Sequence, residues 1–217
     1  MHVVITGANR GIGLALTQKF RIAGHNVTAL CRKTSTPLLH TSAQVKGRVD
    51  VRDFEALDTV AKSIDDIDIL INNAGILHSD TFDTINFKDI QKQFDINTLG
   101  ILRVMLTLGN RVKEGGKVGL ITSRMGSIGD NTSGGQYGYR ISKAAANAVG
   151  KSLAEDFKSR NIPVFLLHPG YVKTDMTEGR GLIDAKESAE GLYNILMSKD
   201  IEDTGTFWHT NGDELPW

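Results

Sequence analysis

The chain has 217 residues, a length that fits one ordinary α/β domain. With 40% hydrophobic and 23% charged residues it carries enough apolar material for a sizeable core and too little charge for a disordered chain. Lysine plus arginine and aspartate plus glutamate each number 25, so the formal net charge is zero. The single cysteine, Cys31, excludes an internal disulfide or a cysteine-based zinc site and points to a reducing, cytoplasmic setting. No run approaches the roughly 18 consecutive apolar residues of a membrane-spanning helix. Gly7, Asn9 and Arg10 interrupt the N-terminal apolar stretch too early for an export signal.

Met1 to Thr6 is a short Val/Ile-rich run that predicts a buried strand, stopped by Gly7. Ile12, Leu16, Phe20 and Ala23 recur at helical spacing over 12–23, and Gly24 supplies the stop. A second strand is expected over 27–31, a loop or at most a broken helix over 33–44 around Pro37, and a short third strand over 45–49. Asp53 is a candidate N-cap for a helix running to Ile64, with Phe54, Leu57, Val60, Ala61 and Ile64 on one face. A fourth strand follows over 67–71, then a helical stretch over 87–114 bent near Gly100, then a strand over 117–122. A Gly/Ser-rich loop over 123–136 leads into an alanine-rich helix over 137–160. A strand over 162–167, a helix over 185–198 and a short strand near 205–208 complete the chain. This β-α alternation with near-continuous apolar strands predicts an α/β fold: a doubly wound parallel sheet with helices on both faces, and ligands at the C-terminal edge of the strands.

Thr6-Gly7-Ala8-Asn9-Arg10-Gly11-Ile12-Gly13 sits between the first strand and the first helix, the context a phosphate-cradling turn requires. Gly7 makes the turn, Gly11 lets a diphosphate approach the helix N-terminus, and Gly13 lets helix pack on strand. An acid at the end of the second strand would bond a ribose 2′-hydroxyl and repel a 2′-phosphate. Residues 1–49 contain seven bases and no acid, so Arg10 and Arg32 are expected to converge on a 2′-phosphate, and NADP(H) is favoured over NAD(H). The competing reading of both arginines is a solvated surface. Nucleic-acid binding is not expected, because these bases are scattered and lack interleaved aromatics.

Tyr139 and Lys143 lie four apart on the long helix and so share a face. A nearby ammonium favours the phenolate, which predicts that Lys143 pulls the Tyr139 pKa down towards working pH. Ser123, at the end of the preceding strand, is placed to polarise a carbonyl while Tyr139 donates a proton, or else to cap a turn. The six histidines show no ligand spacing, so no metal is expected.

In order along the chain, TGANRGIG at 6–13, VDV at 49–51, NNAG at 72–75, Asn97 in DINTLG, Ser123, YRISK at 139–143 and PGYVKTDM at 169–176 resemble the short-chain dehydrogenase/reductase family. The match covers essentially the whole chain, and the segments YGYRISKAAANA at 137–148 and GTFWHTNGDELPW at 205–217 are similar to the C-factor-like and sniffer-like carbonyl reductases. The resemblance implies one NADP(H)-binding Rossmann domain over 1–217 with a seven-stranded parallel sheet, acting as an NADP-dependent oxidoreductase on a small-molecule carbonyl or alcohol. It implies Tyr139 as general acid/base, Ser123 orienting the carbonyl, Lys143 holding the nicotinamide ribose, and Asn97 bending its helix and keeping a water in a proton relay. Gly7, Asn9, Arg10, Gly11, Ile12, Gly13 and Arg32 would bind the cofactor, Asp50 and Val51 flank the adenine, and Asn73, Ala74 and Gly75 line its pocket. Pro169, Gly170, Val172 and Thr174 would seat the nicotinamide end.

The alternative on the same scaffold is a nucleotide-binding signalling or regulatory protein of C-factor type. The short stretch 176–184, inside a substrate loop at about 171–185, leaves little room for a lid and predicts broad carbonyl specificity. Small residues over 144–150 fit either a homodimer or internal packing.

Overall fold

The computed structural model describes residues 1–217. Seven parallel strands form one sheet: β1 (His2–Thr6), β2 (Asn26–Leu30), β3 (Gln44–Lys46), β4 (Ile67–Asn72), β5 (Val112–Ile121), β6 (Val164–His168) and β7 (Phe207–His209). Their order across the sheet is β3-β2-β1-β4-β5-β6-β7. The helices are α1 (Gly11–Ile22), α2 (Thr36–Leu39), α3 (Phe54–Ala61), α4 (Phe87–Phe94), α5 (Gly100–Leu108), α6 (Tyr137–Phe157) and α7 (Ala185–Ser198). This is the expected doubly wound architecture.

Period-two alternation along the strands divides the core. Val3, Ile5, Ile69, Ile71, Phe165 and Leu167 face α1 and α7 on one side. Val4, Leu70, Val118 and Leu120 face α3, α5 and α6 on the other. Because β1 lies between β2 and β4, the chain changes direction across the sheet there and opens a crevice at the strands' C-terminal ends.

Three elements depart from the sequence reading. The long helical stretch is not continuous: residues Asp95–Leu99 form a π-helical segment between α4 and α5. The expected bend thus has a defined cause, a widened turn at which Gly100 packs on Val51, where a Cβ would come within 2.9 Å of Val51 Cγ2. The helix also ends at Leu108 rather than residue 114, and β5 begins at Val112 rather than Lys117. Val112 pairs with Ile67 and Lys117 with Ile69, so the residues between them bulge out of register around Gly115, whose φ is +73°. Finally, Asp53 does cap α3, accepting from the Ala56 N–H at 3.0 Å, but Phe54 is exposed because it begins the helix before its buried face is established at Leu57.

The small residues of α6 serve internal packing at Ala146, Ala154 and Gly150, all buried. A Cβ at Gly150 would meet Leu166 at 2.7 Å and Leu120 at 2.9 Å.

Candidate active site

A cleft of about 820 Å³ runs along the C-terminal edge of the sheet. Gly7, Asn9, Arg10, Gly11, Ile12, Gly13, Arg32, Asp50, Val51, Asn73, Ala74 and Gly75 line it, as do Ser123, Tyr139, Lys143, Pro169, Gly170, Val172 and Thr174. The fold therefore gathers every sequence-predicted site residue except Asn97 into one cleft.

The glycine turn has the geometry of an anion seat. Gly7 and Gly11 adopt φ of +66° and +52°. A Cβ at Gly13 would stand 2.4 Å from the Gly7 carbonyl oxygen and 2.5 Å from Asn73 Nδ2, so only glycine lets α1 start this close to the turn. The Asn73 side chain locks that arrangement by donating to the carbonyls of Thr6 at 2.9 Å and Gly7 at 3.2 Å. Thr6 completes it, its hydroxyl accepting from the N–H groups of Asn73 at 3.0 Å and Ala74 at 3.1 Å. Arg10 occupies the N-cap of α1 without a side-chain cap bond, and the first turn holds no acid. The first amides of the helix thus keep their donors and the positive end of the dipole for a ligand anion. This cradle fits the diphosphate of a dinucleotide.

The two arginines are less free than the sequence implies. Arg10 Nη1 pairs with Asp175 at 2.8 Å, an ion pair between the glycine turn and the segment after β6. Arg32 Nη1 stands 3.9 Å from Asp50, the first acid in the chain. Asp50 is held well below the usual carboxylate range, chiefly by hydrogen bonding to Arg52. The stretch 1–49 is acid-free in sequence but not in space. Both ion pairs are exposed on the arginine side, at 60% and 57%, so they compete only weakly with a ligand phosphate.

At the other end of the cleft, β5 ends beside α6. Ser123 is buried and does cap a turn: its Oγ accepts from the Met125 N–H at 3.1 Å. Tyr139 and Lys143 are buried too, with Lys143 Nζ 5.7 Å from the Tyr139 ring centroid. The expectation that Lys143 depresses the tyrosine is overturned. Burial pushes Tyr139 up to about 12, and only the neighbouring Ser123 hydroxyl draws it back. Burial likewise brings Lys143 down to about 8, with its Nζ donating to the Ile121 carbonyl at 2.9 Å. Desolvation sets both shifts, and the tyrosine rests as a phenol.

Asn97 stands one layer behind the cleft. Its Oδ1 accepts from the Ile76 N–H at 2.8 Å, and its Nδ2 donates to the Ile76 carbonyl at 2.9 Å and to Ser142 Oγ at 3.0 Å. The π-helical turn aims this side chain at the loop after β4 rather than at solvent.

Several residues of the cleft escaped the sequence reading. His168 lines the cleft against His209, ring centroids 5.0 Å apart, and burial with the nearby His209 brings it down to about 3, so it is neutral. Arg124, bonded to Asp130, forms the wall beyond Ser123. Arg140 holds the 124–135 loop through Ser133 Oγ at 2.9 Å and the carbonyl of Gly135 at 3.1 Å. Only the position of His168 before Pro169-Gly170 marks any of them in sequence.

Comparison with known proteins agrees with this geometry. A family model described as short chain dehydrogenase matches residues 1–182. The 1-hydroxy-2-glutathionyl-2-methyl-3-butene dehydrogenase of Rhodococcus sp. strain AD45 is 36% identical over 223 residues, covering 99% of each chain. The C-signal protein of Myxococcus xanthus is 37% identical over 154 residues, spanning 70% of this chain and 93% of the relative. Among solved structures, the carbonyl reductase Sniffer of D. melanogaster superposes with a TM-score of 0.91 at 26% identity, covering 100% and 99% of the two chains. An NADPH-bound carbonyl reductase from chicken fatty liver gives 0.90 at 28% identity, covering 100% and 98%.

Proposed function

The chain belongs to the short-chain dehydrogenase/reductase family, and from that premise we propose that it is an NADP(H)-dependent carbonyl reductase with Tyr139 as general acid/base. The observation that carries the proposal is the meeting of Ser123, Tyr139 and Lys143 in the same cleft as an anion-seating glycine turn. Bound in this cleft, NADP(H) would supply the hydride that reduces a carbonyl carbon, or accept it from an alcohol in the reverse direction.

The chain's own residues account for the rest. The turn at 7–13 seats the diphosphate, Asp50 and Val51 flank the adenine, and Asn73 to Gly75 with Pro169 to Thr174 bound the nicotinamide end. Ser123 Oγ orients the substrate carbonyl oxygen. Tyr139, a phenol because it is buried, gives that oxygen its proton as the carbon accepts hydride. That protonated state is the form that reduction requires. Lys143 holds the ribose, and its charge, when present, stabilises the phenolate left behind. Asn97 sets the Gly75-Ile76 backbone behind the ribose, since its amide is bonded to Ile76 on both sides.

NADP(H) is preferred over NAD(H) because Arg10 and Arg32 line the adenosine end and their exposed ion pairs yield readily to a 2′-phosphate. The NADPH-bound neighbour supports this choice. The segment from Tyr171 to Ile183 closes a short loop through a parallel Val172–Ile183 bridge and leaves Leu182 exposed, which favours an open, permissive substrate end.

Replacing Tyr139 by Phe tests the assignment. Carbonyl reduction should fall by about 10²–10⁴-fold with NADPH affinity within about threefold of wild type; retained turnover would remove Tyr139 from the chemistry. The likeness to C-signal supports a second reading, a signalling protein on this scaffold. It is favoured only if the wild-type protein binds NADPH and turns over no member of an aldehyde and ketone panel.

A further inference from the structure

Among all the aspartates, glutamates, lysines and arginines, only Asp80 and Lys143 are buried, with 8% and 4% exposure. Both serve the helix that carries Tyr139. Lys143 lies one turn beyond the tyrosine on α6, whereas Asp80 reaches the start of that helix from the loop after β4.

α6 has no cap of its own. Gln136, at its N-cap position, makes no side-chain cap bond and has a φ of +55°, and the first turn contains no acid. Asp80 takes over that task across 57 residues. Its Oδ1 accepts from the Tyr137 N–H at 2.5 Å, its Oδ2 from the Gly138 N–H at 3.1 Å, and its backbone carbonyl from the Gln136 N–H at 2.9 Å. A carboxylate is tolerated out of water only where donors and a positive field replace its hydration, and the amides and dipole of a helix N-terminus supply both.

The segment leading to Asp80 is itself fastened to the neighbouring helix. Asn97 bonds both backbone groups of Ile76. Gln93, fully buried, does the same for His78, accepting its N–H at 3.0 Å and donating to its carbonyl at 3.3 Å. Gln93 also abuts the first turn of α6, since a Cβ at Gly138 would stand 2.5 Å from its Nε2. Residues 76–80 form a strap that starts at the Asn73–Gly75 wall of the cleft, is held by two side chains of the α4 region, and ends on the first turn of α6. Tyr139 is the next residue after Gly138.

We infer that Asp80 is a positioning residue: it fixes the first turn of α6 and so sets where the Tyr139 hydroxyl stands relative to Ser123. The inference rests on the proposed role of Tyr139 as proton donor. A misplacement of the acid by even an ångström lowers turnover without removing any group that touches substrate or cofactor.

The test compares wild type, Asp80→Ala and Asp80→Asn by three readouts: hydrogen exchange of the amides at 137–143 against those at 150–157, calorimetric NADPH affinity, and kcat and KM for carbonyl reduction at saturating NADPH. In Asp80→Ala, exchange at 137–143 should speed by about tenfold or more while 150–157 is unchanged, and kcat should fall by about tenfold or more. KM and NADPH affinity should stay within about threefold of wild type. Asp80→Asn keeps an acceptor oxygen and should restore kcat to at least about threefold above the alanine variant. A kcat in Asp80→Ala within about twofold of wild type overturns the inference, as does exchange that speeds equally along all of α6, the mark of a general loss of stability. If wild type reduces no carbonyl, the proposed reaction fails instead, and the exchange pattern alone decides whether Asp80 anchors that turn. Should the alanine variant not fold, a kcat in Asp80→Asn lower by about threefold with KM unchanged sustains the inference, and an unchanged kcat refutes it.

Discussion

Replacing Gly13 and Gly11 separately by alanine should split folding stability from cofactor binding at one turn. A Cβ at Gly13 would lie 2.4 Å from a backbone oxygen, Gly7 O, and 2.5 Å from Asn73 Nδ2. Ordinary contact needs roughly 1 Å more, and a backbone oxygen cannot swing aside, so the turn must move; such overpacking costs about 1–3 kcal/mol. The shift also strains the Asn73 bonds to Thr6 and Gly7, each worth about 1 kcal/mol. Gly13→Ala should therefore lose about 2–4 kcal/mol, a fall in Tm of roughly 5–15 °C at this chain length. At Gly11 the nearest atom to a Cβ is Thr174 Cγ2 at 3.4 Å, an ordinary contact. The cost there is the left-handed backbone alone, about 1–2 kcal/mol. Its Cβ, however, projects where a diphosphate must approach the amides of α1. Thermal melts with and without NADPH read both effects, because a ligand at 100 times its Kd adds about 2.7 kcal/mol. Gly11→Ala should melt only about 2–8 °C below wild type yet lose that NADPH-dependent rise. If Gly13→Ala melts like wild type, or Gly11→Ala keeps the full rise, the steric reading of the turn is wrong.

Two further outcomes are expected. Lys143 titrates near 8 when folded and near 10.5 when unfolded, so between those pH values the unfolded chain binds the extra proton and stability rises with pH. Relative to Lys143→Met, wild type should gain up to about 3 kcal/mol between pH 7.5 and 10 in urea denaturation, and a gap that stays constant would show the lysine charged throughout; Tyr139, raised to about 12, works against stability only above pH 10. Arg10→Ala and Arg32→Ala should each leave Tm nearly unchanged, since their ion pairs are exposed, but should narrow the preference for NADPH over NADH by about tenfold, or 1.4 kcal/mol, in calorimetric titration. An unchanged ratio in both variants would refute the 2′-phosphate assignment.

Much of the site is legible in the chain because it depends on local geometry. A glycine turn between an apolar strand and an amphipathic helix defines its own backbone, and a four-residue interval puts Tyr139 above Lys143 whatever surrounds them. The pattern fails where local signals are ambiguous. Residues 112–114 read as the end of a helix, yet they open β5, because pairing with Ile67 and the bulge around Gly115 outweigh local propensity.

The sequence by itself determined the order of strands and helices, the glycine turn between β1 and α1 and the shared face of Tyr139 and Lys143, all set by periodicities of two and 3.6 and by where glycine stands. Only the tertiary structure decided how those groups behave. Burial, which no local spacing encodes, keeps the tyrosine a phenol and brings the Lys143 ammonium down to about 8, so that it loses its charge above rather than at neutral pH. Distant partners did the rest: Asp175 meets Arg10 across 165 residues, and Asp80 caps α6 across 57. Those contacts arise because parallel strands bring the ends of every β-α unit to one edge, so residues far apart in the chain become neighbours there.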